Sequence, residues 1–167
     1  MSLSIDHDLE RLAHQEDTLQ IEAFSESIAW ALGTRIKALC EARKVAVTIE
    51  IRRAGQTLFF YAMPGTTPNN AEWVRRKRNA VELFHRSSYA LGLAYQKEGV
   101  SPEQKQGLAT HDYAIHGGGF PIRVKGVGCV GCVTISGVPQ REDHAIVVEA
   151  LADLCGVSLA DVALDPA

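Results

Sequence analysis

No stretch of this 167-residue chain approaches the roughly 20 consecutive apolar residues that a membrane-spanning helix requires. Its start lacks the cationic and then apolar pattern of an export signal, since Met1 to Leu12 carries Asp6, Asp8 and Glu10 instead. A cytoplasmic location with no membrane partner is therefore expected. An excess of one charge is also missing: 17 basic residues stand against 20 acidic ones, a formal net charge of -3. That balance argues against a sequence-independent hold on nucleic-acid phosphates, and no nucleic-acid partner is expected. Repeats and low-complexity segments are absent. Cysteine is sparse, with only Cys40, Cys129, Cys132 and Cys155, and without an export signal these are expected to be reduced and buried.

What is present is an ordinary globular composition, 46% hydrophobic and 22% charged. The length suits one domain, and surface scaling has about 70% of the unfolded chain's surface buried on folding, a core that needs no disulfide or metal staple. The spacing predicts a helix from Ser4, as N-cap, to about Glu16, and a second from Ser25 to Arg43 along Ile28, Ala29, Leu32, Ile36, Leu39 and Cys40. The β-branched run Val45 to Ile51, the turn Ala54-Gly55 and Thr57 to Met63 form a predicted hairpin. Pro68-Asn69-Asn70 opens one long predicted helix with the stripe Trp73, Lys77, Ala80, Val81, Phe84, Ser88, Leu91 and Tyr95, closed by Gly99. Leu19 to Phe24 and His111 to His116 have no clear pattern, and Ser101 to Gln106 reads as a polar connector. A second hairpin joins Phe120 to Lys125 and Val127 to Ser136 around Gly126. A last helix, Glu142 to Leu154, is capped by Gly156, and a short turn from Ser158 has Asp161 in capping-box position. Strands that turn back at once imply an antiparallel sheet with helices on it, an α+β domain. Residues 1–44 are then N-terminal helices, 45–155 the core and 156–167 a tail.

Two motifs resemble chemistry without supporting it. Gly126-Val127-Gly128-Cys129-Val130-Gly131 has dinucleotide-like glycine spacing, but a strand follows where that motif needs a helix N-terminus. Cys129 and Cys132 have redox or zinc spacing, yet in an extended strand they lie about 10 Å apart on opposite faces. No further cysteine or histidine pair completes a tetrahedral site.

The candidate functional residues lie elsewhere. Lys77 falls on an apolar stripe, where an unpaired ammonium is costly, so it either snorkels or meets an anion. Arg75, Arg76 and Arg78 flank it near the helix start, against the dipole, an arrangement that an anionic partner would relieve. A solvated basic face is the plainer alternative. His116 precedes Gly117-Gly118-Gly119, a turn without side chains whose amides are expected to be open to a ligand. That makes His116 a ligand or acid–base position, or else a turn histidine with no role. In the first turn of the last helix, Asp143 suits the dipole, whereas His144 has no such reason and is kept as a candidate. His85, His111 and Tyr113 are weaker candidates for iron or substrate contact.

Gly118-Gly119-Phe120-Pro121-Ile122, Gly126, Gly128 through Gly137 and Gln140-Arg141-Glu142-Asp143-His144 together resemble the HbpS/GlcG-like family of haem-degrading proteins. Pro64 through Asn70 and Trp73-Val74-Arg75-Arg76-Lys77 resemble its uncharacterised branch. The resemblance implies a profilin-like or PAS-like sandwich, with an antiparallel sheet of four or five strands, and a homo-oligomer. It also implies haem binding or degradation, which is attributed to some members. Lys77 matches the lysine of the family's long helix, and Gly118 and Gly119 its glycine loop. On that reading the ligand is haem or a related anionic small molecule. Its propionates would meet Lys77, Arg76 and Arg78, and His116 or Tyr113 would ligate iron. The rival is a structural or adaptor homo-oligomer without cofactor, using its glycines and arginines as subunit contacts.

Overall fold

The computed structural model describes residues 4–166. Helix α1 (Ile5–Thr18) starts where Ser4 accepts a hydrogen bond from the His7 amide, and α2 (Glu26–Arg43) where Ser25 accepts one from Ile28. Between them, Gln20–Ile21 form the two-residue strand β1. The first hairpin is β2 (Thr48–Arg53) and β3 (Gln56–Ala62), and Ala54 and Gly55 turn it with φ of 48° and 85°. Positive φ at both central residues matches the turn to the twist of the strands. The second hairpin is β4 (Gly119–Val124) and β5 (Gly128–Ser136).

Pairing of β2 with β5 joins the hairpins into an antiparallel sheet, and β1 adds beside β4 in parallel, giving the order β1-β4-β5-β2-β3. The sequence pattern left β1 unassigned because two residues carry no period. On one face of the sheet, Ile49, Ile51, Phe59, Phe120, Ile122, Val133 and Ile135 pack against α2 and α6 (Gln140–Cys155) as the main core. On the other face, beneath α3 (Pro68–Phe84), the buried residues Thr48, Glu50, Thr134 and Ser136 are polar. That buried polar face is what the site is built on.

Three expectations need correction. The single long helix is two: His85 takes a left-handed φ of 55° and ends α3, and Ser87 caps α4 (Ser88–Glu98) by accepting from the Ala90 amide. Glu16 of α1 accepts from the Ser87 amide and helps hold the break. The triple glycine is not an open loop, since all three residues are buried. Gly118 has φ +132°, and a Cβ there would strike the Ile135 carbonyl and stand 2.8 Å from Lys77 Nζ. The Gly117 and Gly119 amides donate to Gln140 Oε1 at 3.0 Å and Ser88 Oγ at 2.9 Å, so they are engaged within the protein. Finally, Ser158 makes no side-chain cap to α7 (Leu159–Val162). The polar connector contains the short α5 (Pro102–Gln106), with a capping box at Ser101. No helix among the described residues is long and apolar enough to cross a membrane.

Candidate functional site

Helix α3 lies across β5 and delivers Lys77 to the polar side of the sheet, where it is 3% exposed. Its ammonium donates to Asp143 Oδ2 of α6 and to the Ile135 carbonyl of β5, both at 3.0 Å. Asp143 also accepts from the Val138 and Gly137 amides at 3.2 and 3.4 Å. Burial pushes the lysine down and the carboxyl up, each toward its neutral form. Their mutual attraction and the two amide hydrogen bonds oppose that pull, the condition for a charged pair to persist in the interior. Lys77 therefore does not snorkel; it ties α3, β5 and α6 together.

Above this pair opens a cleft of about 260 Å³. Asn69, Asn70 and Trp73 enter it from the first turns of α3, Ser136 and Gly137 from the end of β5, and Gln140 from the first residue of α6. Pro68 begins α3 at a position whose amide would have no partner within the helix, and Pro139 is the N-cap of α6, so two helix N-termini come to one opening. His116 stands at the rim, edge-on to Trp73 with ring centroids 5.1 Å apart. Desolvation, with the charges of Lys77 and then Arg76, holds its ring below the ordinary imidazole range, so it is neutral at pH 7 and keeps a free lone pair. Arg76 lies 4.5 Å over the Trp73 ring and donates to the Thr110 carbonyl.

Of the residues singled out from sequence, Lys77 and His116 line this cleft, while the buried Gly117, Gly118 and Gly119 do not, Gly118 instead leaving room beside Lys77 Nζ, and Arg76 lies over Trp73 of its wall. Arg78 does not join them: it binds Glu50 at 2.9 Å against the sheet. Arg75 is paired with Glu72 and Asp112. His144 is buried on another side of α6. His111, Tyr113 and His85 do not line the cleft. Sequence reasoning missed Asn69, Asn70, Ser136 and Gln140, although the helix-start positions of Asn69, Asn70 and Gln140 were a signal. It also took Asp143 as a dipole residue alone, because a partner 66 positions from Lys77 has no local signature.

Comparison with known proteins places these features in a family. Residues 24–152 match the family model described as haem degrading protein HbpS-like. A UPF0303 protein of Azotobacter vinelandii is 53% identical over 163 residues, 98% of each chain. One from Serratia proteamaculans is 50% identical over 94% of this chain and 98% of its own. Among solved structures, the Ybr137w protein superposes with a TM-score of 0.81 at 30% identity, covering 89% of this chain and 87% of that one. HbpS, at 18% identity and a TM-score of 0.64 over 81% of this chain and 92% of its own, shares the fold. So does PduOC in complex with heme, at 21% identity and 0.68 over 78% and 94%. With the model matched over most of its length and curated relatives matched end to end, the chain belongs to the HbpS-like family.

Proposed function

We propose that this protein binds a small ligand bearing anionic or carbonyl oxygens in the cleft between the first turns of α3 and α6. The observation that carries the reading is the convergence of two long-helix N-termini on a floor formed by a buried, internally neutralised Lys77–Asp143 pair. The pair cancels its own charge, so the helix ends and Arg76 give the opening a positive character. The side-chain amides of Asn69 and Gln140 supply donors. Trp73 provides the readout: in a Trp30→Phe protein it is the only tryptophan. Its fluorescence is expected to change saturably with oxalate or inorganic phosphate, and Asn69→Asp is expected to abolish the response by adding a like charge while leaving the floor intact. No response to either anion contradicts the reading.

Haem is a second reading, favoured by the neutral His116 beside Trp73 and Arg76 and by the PduOC:heme relative. The fit is partial. A cleft of about 260 Å³ with amide, hydroxyl and carboxylate walls does not enclose a macrocycle, and Lys77 is sealed against Asp143 and Ile135 rather than free for a propionate. What remains is contact at the rim, with His116 on iron and Arg76 on a propionate. Bound there, haem would bring the redox chemistry that oxidative degradation requires. One equivalent of haem giving a Soret shift that His116→Ala removes supports this reading, and an unchanged free-haem spectrum contradicts it. Self-association belongs to the same proposal. β3 is a sheet edge without charge or proline, Phe60 on it is 51% exposed and Trp30 on α2 is 66% exposed. An adaptor role without ligand is the reading left if both titrations fail.

A further inference from the structure

The segment from His111 to His116 forms no helix or strand and is held between α3 and α4. On one side the Ala114 amide donates to the Arg76 carbonyl of α3 at 3.0 Å. On the other the Ile115 carbonyl packs onto α4 at Gly92, where a Cβ would stand 2.2 Å from that oxygen, so a glycine is what lets the two meet. His116, the end of the segment, is thereby set between two hollows. One is the cleft, and the other, of about 200 Å³, lies against α4. His116 and Gln140 line both, and both residues are exposed, so their side chains form a low divide at the surface.

The two hollows differ in chemistry. The cleft has two helix N-termini and side-chain amides at its mouth. The hollow is walled by the half-buried Gly92, Leu93 and Ile115 and by Tyr89, whose hydroxyl accepts from Arg141 at 3.1 Å. Among the described residues, no Asp, Glu, Lys or Arg lines it. At the divide, Gln140 Oε1 takes the Gly117 amide at 3.0 Å, so the group it has left to offer a ligand is its side-chain nitrogen.

We infer, resting on the anion cleft proposed above, that the two hollows form one site and that its ligand is a monocarboxylate with an uncharged, apolar arm about the size of a phenyl ring. The carboxylate lies at the first turns of α3 and α6, and the arm crosses His116 and Gln140 to lie on Gly92, Leu93 and Ile115. The cleft alone, at about 260 Å³, is short of the roughly 300 Å³ at which small-molecule sites usually begin, and continuation into the hollow brings it within that range. A second anionic group at the end of the arm would give up water without meeting a cation there.

Propionate and 3-phenylpropionate share a head group and differ by one ring. Titrated into the full chain and followed by amide chemical shifts, both are expected to move Asn69, Asn70 and Gln140, and 3-phenylpropionate alone to move Leu93 and Ile115 as well. The ring is expected to tighten binding about tenfold, the scale of its partial burial. 3-Phenylpropanol, which keeps the ring and lacks the carboxylate, is expected to bind about tenfold more weakly than 3-phenylpropionate or worse. Leu93→Ala is expected to cost 3-phenylpropionate about threefold and propionate nothing, and the shifts of the unaltered chain carry the test independently of that variant. Equal affinities for the two acids, shifts at Leu93 and Ile115 that the alcohol matches, or an affinity that Leu93→Ala leaves unchanged overturn the joined site and leave the cleft standing. Neither acid moving Asn69, Asn70 and Gln140 where oxalate does overturns the monocarboxylate class, and silence with oxalate as well is failure of the cleft itself.

Discussion

An ammonium at 3% exposure is tolerated only because every neighbour is arranged for it, and Lys77 illustrates how narrow that arrangement is. Asp143 and the Ile135 carbonyl take two of its protons, and Gly118 leaves the volume in which Nζ sits. Lys77→Met strands a buried carboxylate, and urea unfolding is expected to show a loss of about 3 kcal/mol or more, the scale for breaking one half of a buried pair. Adding Asp143→Asn to that variant is expected to restore part of the loss, because the stranded charge goes. His144 gives a pH signature of its own. Its ring is held at about 3 in the folded protein against the ordinary 6.5 of the unfolded chain. Between those values the unfolded chain binds a proton that the folded one does not, so stability is lost as pH falls below 6.5. The contribution at pH 5 is about 2 kcal/mol. The drop in unfolding free energy from pH 7 to pH 5 is expected to be smaller by about that amount in His144→Gln, and equal drops would contradict a ring that burial keeps neutral.

At the scale of elements, the break between α3 and α4 decides where the polar face ends, and its cap is a single hydroxyl. Ser87→Ala is expected to cost about 1 kcal/mol in thermal or urea unfolding. Sequence periodicity ran straight through this point, because Ser88, Leu91 and Tyr95 of α4 are buried just as a continued stripe would bury them. The turn is made by backbone: a left-handed His85 whose carbonyl accepts from Arg123, followed by Ser87, whose amide donates to Glu16. Tight hairpins and strongly patterned helices were legible for the opposite reason, since Ala54-Gly55, Gly126 and Gly156 act through local geometry. Lys77 was legible as an anomaly on an apolar stripe, but its partner was not. The triple glycine was misjudged because absence of side chains signals close approach as readily as openness. At Gly118 it is close approach.

At the scale of the whole molecule, the sheet separates an apolar face, which α2 and α6 cover to make the core, from a buried polar face under α3. The cleft lies at the end of that polar face, and β3 leaves an unpaired edge on the far side of the sheet from β1. Light scattering on a sizing column is expected to return a multiple of 18.2 kDa, falling toward the single-chain mass when Phe60 becomes Lys. A single-chain mass for the unaltered protein at micromolar concentration would contradict self-association. The central claim is the location of the ligand site, and amide chemical-shift mapping with oxalate tests it most directly. The account predicts saturable shifts concentrated at Asn69, Asn70, Gly137 and Gln140, where the first turns of α3 and α6 meet. Shifts that are absent there, or that center on another surface, would contradict it.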